Sequence, residues 1–133
     1  MNRIFAKLLP VVLFLTVAAD ANAESLFSCK YPVYSSNELK IEKDDNFTLQ
    51  FVLREDGTAS MIGNQGAAPV EVFQQPDQIT FLEITQMGNF MLTTIDKKGE
   101  SVHSRHPVIS SDLFPSQYYG SVSYTHLTLP TKA

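Results

Sequence analysis

The chain has no tryptophan and a single cysteine, Cys29, among its 133 residues. Without an indole, phenylalanine must carry the large apolar contacts of any core. One cysteine cannot close a disulfide within the chain. Basic charge is also scarce. Between Glu24 and Ser121 there are 7 Lys and Arg against 13 Asp and Glu, a formal net charge of −6. A chain this acidic, with no basic stripe, is poorly suited to nucleic acid and is repelled by anionic membrane surfaces. Helical periodicity is missing from Glu24 onward, and no internal repeat or low-complexity tract is present. There is no nucleophile elbow and no phosphate loop. Gly63-Asn64-Gln65-Gly66 has the glycines of such a loop but neither a Lys nor a following helix, so it reads as a turn. Nothing in these patterns calls for a cofactor.

What is present begins with an export signal. Arg3 and Lys7 give a positive start, Leu8–Ala19 is a short apolar run, and Ala21-Asn22-Ala23 is a small-x-small cleavage site before Glu24. An apolar run of about a dozen residues is too short to span a bilayer. The expected compartment is periplasmic or secreted, with no transmembrane segment in the mature chain. The expected organisation is a signal peptide over 1–23, a single β domain over 24–121 and a separate tail over 122–133. A domain of about 100 residues buries roughly 60–65% of its unfolded surface, enough for one modest core.

The stretch Tyr31–Asn46 is rich in Pro, Ser and charge and reads as an entry loop. From Phe47 the pattern has period two, the signature of strands. Phe47, Leu49, Phe51 and Leu53 alternate with Thr48, Gln50, Val52 and Arg54. Asp56-Gly57 marks a turn before a second strand, Thr58–Ile62. Further strands are expected at Val70–Gln74, Gln78–Thr85, Phe90–Asp96 and Ser101–Ile109, with Pro107 favouring an edge or bulge. Six short strands with tight turns form an antiparallel meander. To bury its apolar face it must curl, giving a small all-β barrel or half-barrel, lipocalin-like in shape. The fourth strand is irregular, with Ile79 and Phe81 on one face and Leu82 and Ile84 on the other. Regular alternation would carry Glu83 onto the apolar face, where a carboxylate needs a partner such as Arg105. A register shift placing Glu83 in water is the favoured reading.

The densest polar group is Val102-His103-Ser104-Arg105-His106. On a strand His103 and Arg105 share a face, while His106 joins Val102 and Val108 and reads as a core histidine. Two histidines three apart cannot share one metal on a regular strand, so no metal site is expected. Pro115-Ser116-Gln117-Tyr118-Tyr119-Gly120 is an aromatic cluster suited to a ligand rim. The candidate ligand-binding residues are Glu83, His103, Arg105, Tyr118 and Tyr119, and no catalytic set is assigned. The expected function is a binding module for a small molecule or an envelope partner. The alternatives are an inhibitor that plugs another enzyme with a loop such as Met61–Ala68, or an enzyme using Glu83, His103 and Arg105.

Three resemblances bear on this reading. Thr93-Thr94-Ile95, Val102–His106 and Pro115–Gly120 resemble segments of short uncharacterised proteins exported by Gram-negative bacteria. In that group a cysteine follows the Tyr-Tyr-Gly stretch. Phe27-Ser28-Cys29 is similar to the opening of small periplasmic β-barrel lysozyme inhibitors, whose Ser-Gly-x-x-Tyr loop is absent here. Val122–Thr131, VSYTHLTLPT, resembles the translation of a transposase-type sequencing adapter over ten positions. That similarity marks 122–133 as a read-through tail, expected to pack poorly. Cys29 then has three readings: an intermolecular bridge, a free thiol, or a thiol whose partner lies beyond Gly120. The first resemblance and the oxidising compartment favour the last. A lipid-anchored Cys29 is disfavoured because Phe27 is too large for a lipobox.

Overall fold

The computed structural model describes residues 23–128, apart from Asn37 and Leu39. Residues 1–22, which hold all but the last residue of the expected signal peptide, and the last residues, 129–133, lie outside it. The described residues form eleven strands, nine of them in one sheet system: β1 (Ala23–Ser35), β2 (Ile41–Lys43), β3 (Thr48–Arg54), β4 (Ala59–Gly63), β5 (Gly66–Gln75), β6 (Gln78–Ile84), β7 (Phe90–Asp96), β8 (Glu100–Arg105), β9 (Val108–Ile109), β10 (Asp112–Leu113) and β11 (Ser116–Thr128). β3 to β8 pair as an antiparallel meander, β1 joins β3, and β11 joins both β8 and β1. The result is a closed antiparallel barrel of eight strands. β2 extends the sheet beside the far end of β1, and β9 and β10 make a separate hairpin. Closure removes the unpaired edges that an open sheet of this length would expose.

The meander follows from the alternation in the sequence. Leu49, Phe51, Ala59, Phe81 and Ile95 point inward and are buried, with Val70, Val72 and Ile79 packed against them. Phe51 and Phe81 stack with centroids 4.3 Å apart and planes 9° from parallel. This pair crosses the barrel and separates its two ends. At one end lie the β4–β5 and β6–β7 turns and the excursion between β8 and β11. At the other lie the β3–β4, β5–β6 and β7–β8 turns.

Four expectations are corrected. First, Tyr31–Ser35 is not loop but the second half of β1, and Tyr31 is fully buried. The register of β1 against β11 shifts between Lys30 and Val33, so Tyr31 and Pro32 face the single residue Gly120. This bulge breaks the period-two pattern and accommodates a proline within the strand. Second, β6 pairs with β7 without a shift from Gln78↔Asp96 to Ile84↔Phe90. Glu83 therefore follows Ile79 and Phe81 inward and is not displaced into water. Third, β8 ends at Arg105, and Val108–Ile109 turns back on Asp112–Leu113 through Ser110 and Ser111, both at positive φ. His106 is exposed there, so the core histidine is His103, 2% exposed.

The fourth correction concerns the tail. Val122–Thr128 pairs with Ala23–Cys29 as the closing half of β11. Val122 packs against the core and the Tyr124 ring meets Phe27 at 5.1 Å. The physical reason is that a seven-stranded meander leaves two open edges. A segment alternating apolar and polar residues, such as VSYTHLT, completes it whatever its origin.

Cys29 is a free thiol with no exposed surface, on the inner face of β1. Burial pushes its pKa up, so the reactive thiolate is scarce. Labelling of the native protein with a disulfide reagent is expected to be slow and to become complete only in denaturant. Fast native labelling would mean that β1 opens locally.

Candidate functional site

The sheet register brings the polar residues of three strands together. Glu83 on β6 lies opposite Met91 on β7, and Met91 lies opposite Arg105 on β8. With strands 4.7–4.9 Å apart, Glu83 and Arg105 start from backbones roughly 10 Å apart and converge over Met91. One step deeper, Phe81, Thr93 and His103 form the next row across the same strands.

The first row and His103 of the second line a cavity of about 350 Å³ at the end of the barrel that carries the β4–β5 turn. Its apolar wall comes from Phe47, Leu49, Met61 and Met91. Its polar wall holds Glu83, His103 and Arg105, with Asn64 and Gln65 at the hairpin tip. Among the described residues, the buried side-chain polar atoms without a hydrogen-bond partner are Glu83 Oε2 and Arg105 Nε. No ion pair joins the two residues. An unpaired buried polar atom costs about 1–3 kcal/mol, and more when charged. The cavity thus carries two buried polar atoms that the described residues leave unsatisfied.

The electrostatics follow from burial. Desolvation raises the pKa of Glu83, and the Arg105 guanidinium opposes that rise. Desolvation, reinforced by the Arg105 charge, lowers that of His103 to about 4, so its ring is neutral at neutral pH. His103 Nδ1 and the Thr93 hydroxyl are hydrogen-bonded at 2.7 Å, and Thr93 is only 1% exposed. The pair lies at the base of the site. Tyr31 supports the core beside it, its hydroxyl 2.8 Å from Ser101 Oγ and its pKa raised by burial.

The His103 shift has a consequence for stability. The unfolded imidazole binds a proton below about pH 6.5, whereas the folded one resists protonation down to about pH 4. The unfolded state therefore holds more protons between those limits, and stability falls as pH drops through the window. The loss is up to ~3 kcal/mol. Glu83 acts in the opposite sense just above its ordinary range, because its raised pKa favours the protonated folded form as pH falls. Denaturant titration of wild type and His103→Gln between pH 7 and 4 checks this. The wild type is expected to lose more stability than the variant across the window, and parallel curves would contradict it.

Of the residues singled out in the sequence, Glu83, His103 and Arg105 meet at the cavity. Tyr118 does not line it. Its ring packs on Phe47 at 4.5 Å and stacks on Tyr34 at 5.2 Å, so it backs the wall. Tyr119 faces outward, 41% exposed, and its hydroxyl donates to Gln117 Oε1. The sequence reading did not single out Phe47, Met61 and Met91 as wall residues. The alternation of Phe47 and Met61 was visible in their strands, but their level in the barrel and the face taken by Met91 were not. No family model matches this chain, and neither does any curated protein or solved structure. The site is therefore read from its own geometry.

The other end of the barrel holds a cavity of about 310 Å³ beside Phe27, Ile79 and Ile95. Its charged groups have partners: Lys97 Nζ donates to Asp77 Oδ1 at 3.0 Å on the surface, and Asp96 Oδ1 accepts from the backbone N–H groups of Lys98 and Glu100. It lacks buried orphan polar atoms of the kind found at Glu83 and Arg105.

Proposed function

We propose that this protein is an exported binding module that holds a small molecule in the cavity between Glu83, Arg105 and the apolar wall of Phe47, Leu49, Met61 and Met91. The observation that carries the reading is the pair of unsatisfied buried atoms, Glu83 Oε2 and Arg105 Nε, in a concave site of about 350 Å³. Apolar walls with a few convergent polar groups are the general character of small-molecule sites. The volume is at the small end of that range. The enzyme reading would use the same Glu83 and His103. It is less favoured because the hydroxyl beside His103, that of Thr93, is buried and does not line the cavity. The inhibitor reading has little to build on in Met61–Ala68. There Gly63 pairs directly with Gly66, leaving a two-residue tip.

A second reading, docking on an envelope protein, is favoured by one observation. Ile84, Met87, Phe90 and Leu92 are exposed on the outer side of the β6–β7 hairpin, and Val108 and Ile109 are exposed on the neighbouring excursion. The excursion is tied to that hairpin by Val108 N–H donating to Asn89 Oδ1 at 3.2 Å.

A fragment screen read by amide chemical shifts separates the two. Binding in the cavity is expected to shift Met61–Ala68, Glu83, Met91 and Arg105 together. Shifts confined to Ile84–Phe90 and Val108–Leu113 would replace the small-molecule reading with the docking one. No hits at either place would remove the first reading.

A further inference from the structure

We propose that the cavity takes a compact zwitterion with an apolar body, chemically a free α-amino acid with an aliphatic, thioether or aromatic side chain, its ammonium on Glu83 and its carboxylate on Arg105. The inference rests on the binding-module reading above and names the class of its ligand.

The argument is one of matching. The charged groups at the cavity are one carboxylate and one guanidinium, and the remaining polar wall, Asn64 and Gln65, is neutral. His103 adds no second cation, since burial keeps its ring neutral at neutral pH. Buried charges are ordinarily paired. Here the two are of opposite sign on the same wall, yet no ion pair joins them, and each keeps a buried atom without a partner. An anionic ligand would match Arg105 and leave Glu83 facing it unpaired. A cationic ligand would do the reverse. A neutral amide would supply hydrogen bonds but no counter-charge.

A zwitterion matches both groups at once. An ammonium offers three donors to the carboxylate, and a carboxylate accepts from the guanidinium in a charge-assisted bond. Met91 lies between the two charged residues in the register, so both ends of the ligand straddle it. The rest of the ligand then meets Phe47, Leu49 and Met61, which contribute no charge and no strong hydrogen-bonding group. The volume of about 350 Å³ equals that of on the order of ten liquid waters, which suits a single amino acid better than a peptide.

The test is calorimetric titration of the protein with L-methionine, L-leucine and L-phenylalanine. Two charge-deleted relatives, N-acetyl-L-methionine and L-methionine methyl ester, are run beside them. At least one free amino acid is expected to bind, and each relative of methionine to bind at least tenfold more weakly than methionine. Glu83→Gln is expected to shrink the gap between methionine and its N-acetyl form, and Arg105→Gln the gap between methionine and its ester. Equal or tighter binding of either relative overturns the proposal, and the wild-type comparison stands even where a variant fails to fold. If no amino acid binds but neutral fragments still shift Glu83, Met91 and Arg105, the zwitterion assignment falls while the binding-module reading survives. If nothing shifts those residues, both fall.

Discussion

Replacing Phe51 with alanine is expected to cost about 3–5 kcal/mol, a large part of the stability of a domain this size. Phe51 is 1% exposed at the middle of β3, and its ring lies 4.3 Å from that of Phe81 in a stacked pair. With no tryptophan in the chain, this stacked phenylalanine pair stands at the middle of the core. The substitution removes the transfer energy of one ring and strips its partner of a face. It also opens a void in the layer that separates the two end cavities. Urea unfolding followed by circular dichroism measures it. A cost below about 1 kcal/mol would mean that β3 is not packed in the register described.

Gly120→Ala is expected to cost ~3 kcal/mol or more, at or beyond the upper end of ordinary overpacking. A Cβ at Gly120 would lie 2.8 Å from the Lys30 carbonyl carbon and 2.9 Å from the Tyr31 Cα, and closer still to the Lys30 carbonyl oxygen. All three are backbone atoms, so no side chain can swing aside. The cause is the bulge. Tyr31 and Pro32 together face one residue of β11, and the bent strand presses its backbone onto that residue. Because β1–β11 is the pairing that closes the barrel, the strain falls on closure rather than on the meander. Unfolding of Gly120→Ala beside Gly120→Ser and a surface control, Gly88→Ala, checks this. Gly88 has φ +79° but open space around it, so its variant carries backbone strain without collision. An equal or smaller effect at Gly120 would contradict the close approach.

The sequence by itself determined the meander. Alternation from Phe47 to Leu53 and the turns at Asp56-Gly57, Pro76-Asp77, Gly88-Asn89 and Lys98-Gly99 are local signals. They correspond to β3–β8 within a few residues at each end. It also placed His103 and Arg105 on one face, because neighbours on a strand obey period two. Tertiary structure decided three other things. Closure joins β1 to β11, some 90 residues apart, and no local pattern encodes which distant edges will meet. The bulge at Tyr31-Pro32 shifts the parity of β1, so Tyr31 and Tyr34, three apart, both meet the inward-facing Tyr118. A period-two reading takes that segment for loop. Glu83 was ambiguous because Leu82 and Ile84 made its strand apolar on both faces. Only the unbroken pairing with β7 turned its carboxylate inward, to the level of Arg105, where the barrel wall leaves both without a partner.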